Sequence, residues 1–172
     1  MRASRNSKLV LAVYGLIAFA RFSQAQVSPP DCITSAALYH QVNPVVLRAI
    51  AFNESSMQPW AIRKNSNGTY DIGLFQINGV HAPELAKYGI GATQLKDGCV
   101  SAYVGAWLYR RKVAKHGNTW TAVGAFHSET PALRDAYARK VIQTLKSWGA
   151  FPTSPQSAPS SATVGAPAKQ SN

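Results

Sequence analysis

The chain is short of acid. Seven Asp and Glu stand against 18 Lys and Arg in 172 residues, a formal charge of +11. A surface that basic suits a polyanionic partner, and it is also what plain solvation produces, so charge alone leaves the partner open. Cysteine is nearly absent. Cys32 and Cys99 are the only two, too few and too far apart for a cysteine-built metal centre. The four histidines, His40, His81, His116 and His127, show no ligand spacing, so no metal and no organic cofactor is implied. No apolar run approaches the roughly 20 residues that span a bilayer. There is no internal repeat and no phosphate-type glycine loop. These absences argue against a membrane-embedded protein, a solenoid and a nucleotide-binding enzyme.

Both ends read as lying outside the folded unit. Residues 1–25 have the form of a secretory signal: Arg2, Arg5 and Lys8 open it, Leu9 to Ala20 is apolar, and Ser23-Gln24-Ala25 offers small residues for cleavage. A retained anchor is the alternative, with an apolar run of only about a dozen residues. Removal of the signal takes four cations and no acid, leaving about +7. Residues 152–172 turn to Ser, Pro, Ala, Gln and Gly, with Val164 the only large apolar side chain. Such a segment cannot offset its ordering entropy and reads as a disordered tail. Residues 26–151 are then one domain with one core. In an exported protein Cys32 and Cys99 read as a disulfide worth about 4 kcal/mol by loop closure. Buried free thiols are the other possibility.

Polar residues followed by apolar periodicity outline a mainly helical domain. Asp31 suits the cap of a helix running to about His40. Asn43-Pro44 opens a second helix that ends near Ser55. Asn67-Gly68 marks a turn between two short segments that can pair as a small hairpin. Asp71 to Asn78 reads as part extended and part short helix. A long helix follows from about Asp97 to His116, with Val100, Tyr103, Val104 and Trp107 inward and a basic end of Arg110, Arg111, Lys112 and Lys115. Thr119 begins a short helix to about Ser128. Thr130-Pro131 caps a last one to about Trp148, with Leu133, Tyr137, Val141 and Leu145 as its inner face.

Glu54 is the acid with chemical promise. Leu47, Ile50 and Ala51 precede it by seven, four and three residues, which places it on the apolar face of its helix. It also lies at the negative C-terminal end of that helix. Both circumstances favour the neutral carboxylic acid, which can donate a proton to a leaving oxygen near neutral pH.

Four blocks then carry a resemblance. Ala51-Phe52-Asn53-Glu54-Ser55-Ser56, Asp71-Ile72-Gly73-Leu74-Phe75-Gln76-Ile77-Asn78, Ala122-Val123-Gly124-Ala125-Phe126-His127-Ser128, and Tyr137-Ala138 with Val141 stand in this order. The set resembles the motifs of lytic transglycosylases in the lysozyme superfamily, over about Cys32 to Ser147. It is most similar to the small ones associated with type III and type IV secretion, conjugation and pilus systems. The resemblance implies a lysozyme-like α+β domain with a small β-hairpin beside an active-site cleft. It implies Glu54 as the single acid and base, Ser55 and Gln76 shaping and binding the sugar site, and Tyr137 orienting Glu54. Phe75 stands where the family has methionine and keeps its bulk. Phe126 and His127 replace a usual Tyr-Asn: the ring remains for sugar stacking, while the histidine can donate and can also titrate.

The implied substrate is the glycan strand of peptidoglycan, cut between N-acetylmuramic acid and N-acetylglucosamine with a 1,6-anhydro product. The expected setting is the periplasm or the exterior, with a monomer acting alone or with parts of a secretion, conjugation or pilus machine. Neither nucleic acid nor stable membrane insertion is expected. Asp71 leaves the outcome open. It could face Glu54 as a second carboxylate and support hydrolysis, as in two-carboxyl glycosidases, or it could simply hold a turn. A non-catalytic wall-binding assembly protein and a cationic membrane-active protein are the rival classes.

Overall fold

In the computed structural model, which describes residues 31–151, the helices begin where polar caps stand in the sequence. The signal and tail expected at residues 1–25 and 152–172 fall outside the described residues. Asp31 accepts from the amides of Ile33 and Thr34 and starts α1, Cys32–Tyr39. Asn43 accepts from Val45 and Val46 ahead of α2, Pro44–Ser55. Asp97 accepts from Cys99 and Val100 to start α4, Gly98–His116. Each such cap satisfies amides that the first helical turn leaves unpaired. Thr119 caps α5, Trp120–His127. Thr130 precedes α6, Pro131–Ser147, but makes no side-chain cap bond; its own amide instead donates to Ser128 Oγ. A four-residue helix, α3, spans Ala82–Leu85.

The β excursion is larger than a hairpin. Strands β1, Ile62–Lys64, β2, Tyr70–Ile72, and β3, Ile77–Asn78, form an antiparallel sheet in that order. The short helix expected within residues 71–78 is replaced by a tight turn. Gly73 and Gln76 both take positive φ, 82° and 47°, a conformation that cannot propagate a right-handed helix. The register sets Arg63 opposite Asp71 and Asp71 opposite Asn78. Three polar side chains therefore lie in one cross-strand row.

The core gathers Leu47, Ile50 and Ala51 of α2, Phe75 and Ile77 of the sheet region, Tyr109 of α4 and Val141 of α6, all at most 2% exposed. The disulfide joins Cys32 to Cys99, with Cα atoms 5.1 Å apart across 67 residues of sequence, and so ties the start of α1 to the start of α4. Two expected core positions lie outside it. Leu133 is 54% exposed. The first turn of α6 meets α5 through its backbone, and a Cβ built on Gly124 would stand 2.2 Å from the Arg134 carbonyl oxygen; Leu133 itself stands about 120° around the helix from the buried Leu145. Tyr103 is also exposed, packing edge-on against Tyr39. The basic end of α4 is largely paired: Arg111 with Glu84, Lys112 and Lys115 with Glu129. Among the described residues no helix is long and apolar enough to cross a membrane.

Phe75 reaches the core because α4 carries a glycine beneath it. A Cβ on Gly105 would lie 2.3 Å from the Phe75 ring. Gly105→Ala must displace that ring, and overpacking of this kind costs about 1–3 kcal/mol. Thermal unfolding followed by circular dichroism is expected to show a lower midpoint for Gly105→Ala. An unchanged midpoint would mean that Phe75 has room to move.

Candidate active site

A cleft of about 500 Å³ opens between the sheet and α5, with Glu54, Arg63, Asp71, Gln76, Phe126 and His127 among its lining residues. Glu54 comes from the last turn of α2. Its side chain is 7% exposed, and its Oε1 is buried with no hydrogen-bond partner. Burial pushes the carboxyl up to about 6 from an ordinary value of 4.5. The Tyr137 hydroxyl nearby and the charges of Arg63 and Lys140 pull the other way, and the charge of Asp71 adds to the rise. Desolvation dominates, as for a carboxyl enclosed in apolar surroundings.

Tyr137 comes to the same place from α6, and its hydroxyl is likewise buried without a completed hydrogen bond. The phenol is near enough to favour the ionised form of Glu54, and the carboxyl together with burial holds the phenol well above its ordinary value. His127, the last residue of α5, lies flat on the Tyr137 ring with centroids 4.8 Å apart and planes 3° from parallel. Its Nδ1 is 4.0 Å from Glu54 Oε1. Phe126 lines the cleft beside it and meets Phe75 edge to face at 6.3 Å. The α5–α6 contact through Gly124 brings His127 and Tyr137 together over the acid.

Asp71 lines the same cleft, but both of its oxygens are committed. Oδ2 accepts from Arg63 Nη2 and Nε at 2.9 and 3.2 Å, and Oδ1 accepts from Asn78 Nδ2 at 2.6 Å. The carboxylate thus serves as the hub of the cross-strand row. Gln76 is 9% exposed, and its Nε2 donates to the carbonyls of Ala61 and Gly73. Only its Oε1 is left to accept from a ligand. Ser55 is absent from the lining. Its Oγ donates to the Leu74 carbonyl at 2.8 Å and accepts from the Gln58 amide at 3.1 Å, which fastens the end of α2, and hence Glu54, to the turn before Gln76. Among the described residues no group of three His, Cys, Asp or Glu side chains is placed to hold a metal.

Arg63 and Asn78 are site residues that motif reasoning passed over, as are the rim residues Asn65 and Asn67. Arg63 carried one usable signal. It is the central residue of the strand preceding Asn67-Gly68, and a hairpin whose register is centred on Asn67 sets it against Asp71.

The raised Glu54 pKa has a thermodynamic signature. Below about 4.5 the carboxyl is protonated in both folded and unfolded chains and has no effect on pH dependence. Between 4.5 and about 6 the unfolded chain releases its proton while the folded chain keeps it, so stability falls as pH rises. Above that window the penalty is constant at about 2 kcal/mol. Glu54→Gln is therefore expected to unfold at higher temperature than wild type at pH 7 and to lose that advantage at pH 4. A difference independent of pH would show that the carboxyl is not held neutral by burial.

With this geometry in place, residues 31–145 match the family model described as the transglycosylase SLT domain. The chain is 39% identical over 121 residues to the invasion protein IagB of Salmonella typhimurium, covering 67% of this chain and 76% of that protein. It is 38% identical over 99 residues to the X polypeptide of Escherichia coli, covering 57% and 59%. It is 33% identical over 101 residues to the protein IpgF of Shigella sonnei, covering 58% and 66%. The match takes in all six helices but the last two residues of α6, together with the sheet and every cleft residue named above. The chain belongs to the transglycosylase SLT family, with a lysozyme-like fold, and is a peptidoglycan lytic transglycosylase.

Proposed function

We propose that the enzyme cleaves the β-1,4 bond between N-acetylmuramic acid and N-acetylglucosamine, with Glu54 as both acid and base. The observation that carries this is the enclosed Glu54 carboxyl, which keeps its proton up to about pH 6 and lies along a cleft of a volume suited to sugars. Glu54 gives its proton to the glycosidic oxygen, and the C1–O bond breaks with its electron pair going to that oxygen. The substrate's N-acetyl oxygen supports the cation at C1. The resulting carboxylate takes the proton of the muramyl 6-hydroxyl, whose oxygen closes on C1. The strand is cut, a 1,6-anhydro end forms, and no water is consumed.

The alternative is hydrolysis with Asp71 as second carboxylate. Its pairing with Arg63 and Asn78 disfavours that role, because a carboxylate already neutralised by a guanidinium supports a sugar cation poorly. Ser55 and Asp71 act on this account through the shape of the cleft wall, Gln76 Oε1 and Phe126 touch the sugar, and Tyr137 orients the acid. The biological setting we propose is the periplasm, where export through residues 1–25 would deliver the enzyme to make local openings in the wall for a secretion or conjugation apparatus. The likeness to a protein named for invasion supports that setting.

Mass spectrometry of muropeptides from purified peptidoglycan tests the chemistry. The wild type is expected to leave anhydro-muramyl ends, and products carrying an added water would favour the hydrolytic route. Glu54→Gln should lower the rate by about 10²–10⁴-fold, the contribution usual for a positioned general acid. Asp71→Asn should slow the reaction without changing the product. Hydrolysed ends that disappear in Asp71→Asn would restore the two-carboxylate mechanism.

A further inference from the structure

His127 occupies a position that no part of the mechanism above uses. It faces the acid rather than merely the sugar: Nδ1 is 4.0 Å from the one Glu54 oxygen that is buried without a partner. Its ring is fixed flat against Tyr137, so the imidazole cannot turn away without losing the stack. A small approach would let a neutral Nδ1–H donate to Glu54 Oε1, in the tautomer that carries hydrogen on Nδ1. The charges around it come from every neighbouring element. Glu54 belongs to α2, Arg63 to β1 and Asp71 to β2, while Tyr137 and Lys140 belong to α6. Lys112 of α4 and Glu129, at the edge of the cleft, pair with each other. Burial and the charges of Arg63 and Lys140 lower the His127 pKa, and Asp71 opposes them.

We infer that His127 is a positioning residue for Glu54 and that its imidazole must be neutral for the sugar cation to form. This rests on the assignment of Glu54 as acid and base. The physical reason is charge. Neutral imidazole that donates Nδ1–H to Oε1 holds the carboxyl in place without adding charge and leaves the acidic proton on Oε2 for the glycosidic oxygen. Imidazolium at the same place would stand beside the position where positive charge develops at C1, and like charges repel strongly in an enclosed site. It would also attract the carboxylate left after proton transfer and so weaken it as the base for the second step. The two groups titrate as a pair, and the macroscopic midpoints belong to both. Asparagine could offer the same donor but could never carry a charge, so histidine here makes the enzyme sensitive to acid.

The test is the pH profile of kcat/KM on peptidoglycan for wild type, His127→Asn and Asp71→Asn, each normalised to its own maximum. The wild type should fall on the alkaline side as Glu54 loses its proton, and on the acid side about tenfold per pH unit as His127 gains one. His127→Asn should keep the alkaline limb and fall less than about twofold over the acid interval. The Cε1–H proton resonance of His127 should titrate at the midpoint of the wild-type acid limb. It should also show a smaller step near pH 6 that vanishes in Glu54→Gln. An acid limb retained in His127→Asn, or lost in Asp71→Asn instead, overturns the inference while leaving cleavage by Glu54 intact. So does a His127 resonance with no step from Glu54. Failure of the wild type to release any muropeptide would reject the cleavage mechanism and this inference with it.

Discussion

Everything in the cleft follows from the desolvation of one carboxyl group. Glu54 is held at the end of α2 with its side chain enclosed and one oxygen unpartnered. Its neighbours are arranged to limit the consequences rather than cancel them. Tyr137, Arg63 and Lys140 each favour ionisation, yet burial wins and the pKa rises to about 6. An acid near that value is protonated often enough to donate and is weak enough, once ionised, to take a proton back. A single group can then serve as acid and as base.

The second carboxylate shows how the fold separates two acids lining one cleft. Asp71 is nearly as buried as Glu54, but the antiparallel register brings it a guanidinium and a carboxamide. Both of its oxygens are thereby taken up by partners within the sheet. Glu54 lies against helices α5 and α6, which bring it an aromatic hydroxyl and a stacked imidazole instead. The difference in surroundings comes from the element behind each residue and not from the carboxyl group itself.

Much of this was legible in the sequence because it depends on local rules. Caps at Asp31, Asn43, Asp97 and Thr119 are chosen by hydrogen bonding within one turn. The inward position of Glu54 follows from its spacing to Leu47, Ile50 and Ala51, all fully buried. What the sequence did not disclose depends on register and on helix contact. The third strand requires the left-handed turn at Gln76, which no propensity favours. The partners of Asp71 require knowing which residue lies opposite it. Leu133 continues the four-residue spacing of α6, but that spacing drifts about 120° around the helix between Leu133 and Leu145, and Leu133 is 54% exposed. Ser55 belongs to a recognisable pair with Glu54, yet its hydroxyl is spent on the Leu74 carbonyl. Motif order pointed to residues that line one cleft, and tertiary pairing decides which of their polar groups are open to it.

The Glu54 carboxyl is expected to keep its proton above the usual glutamate range before any glycan arrives. Carbon-13 NMR of the free enzyme, with the glutamate side-chain carboxyl labelled and Glu54→Gln used to assign the signal, reads that proton directly. A Glu54 midpoint near 6 is expected. A midpoint in the ordinary glutamate range, about 4.3, would mean that the carboxyl is solvated and ionised, and the acid–base assignment would fail.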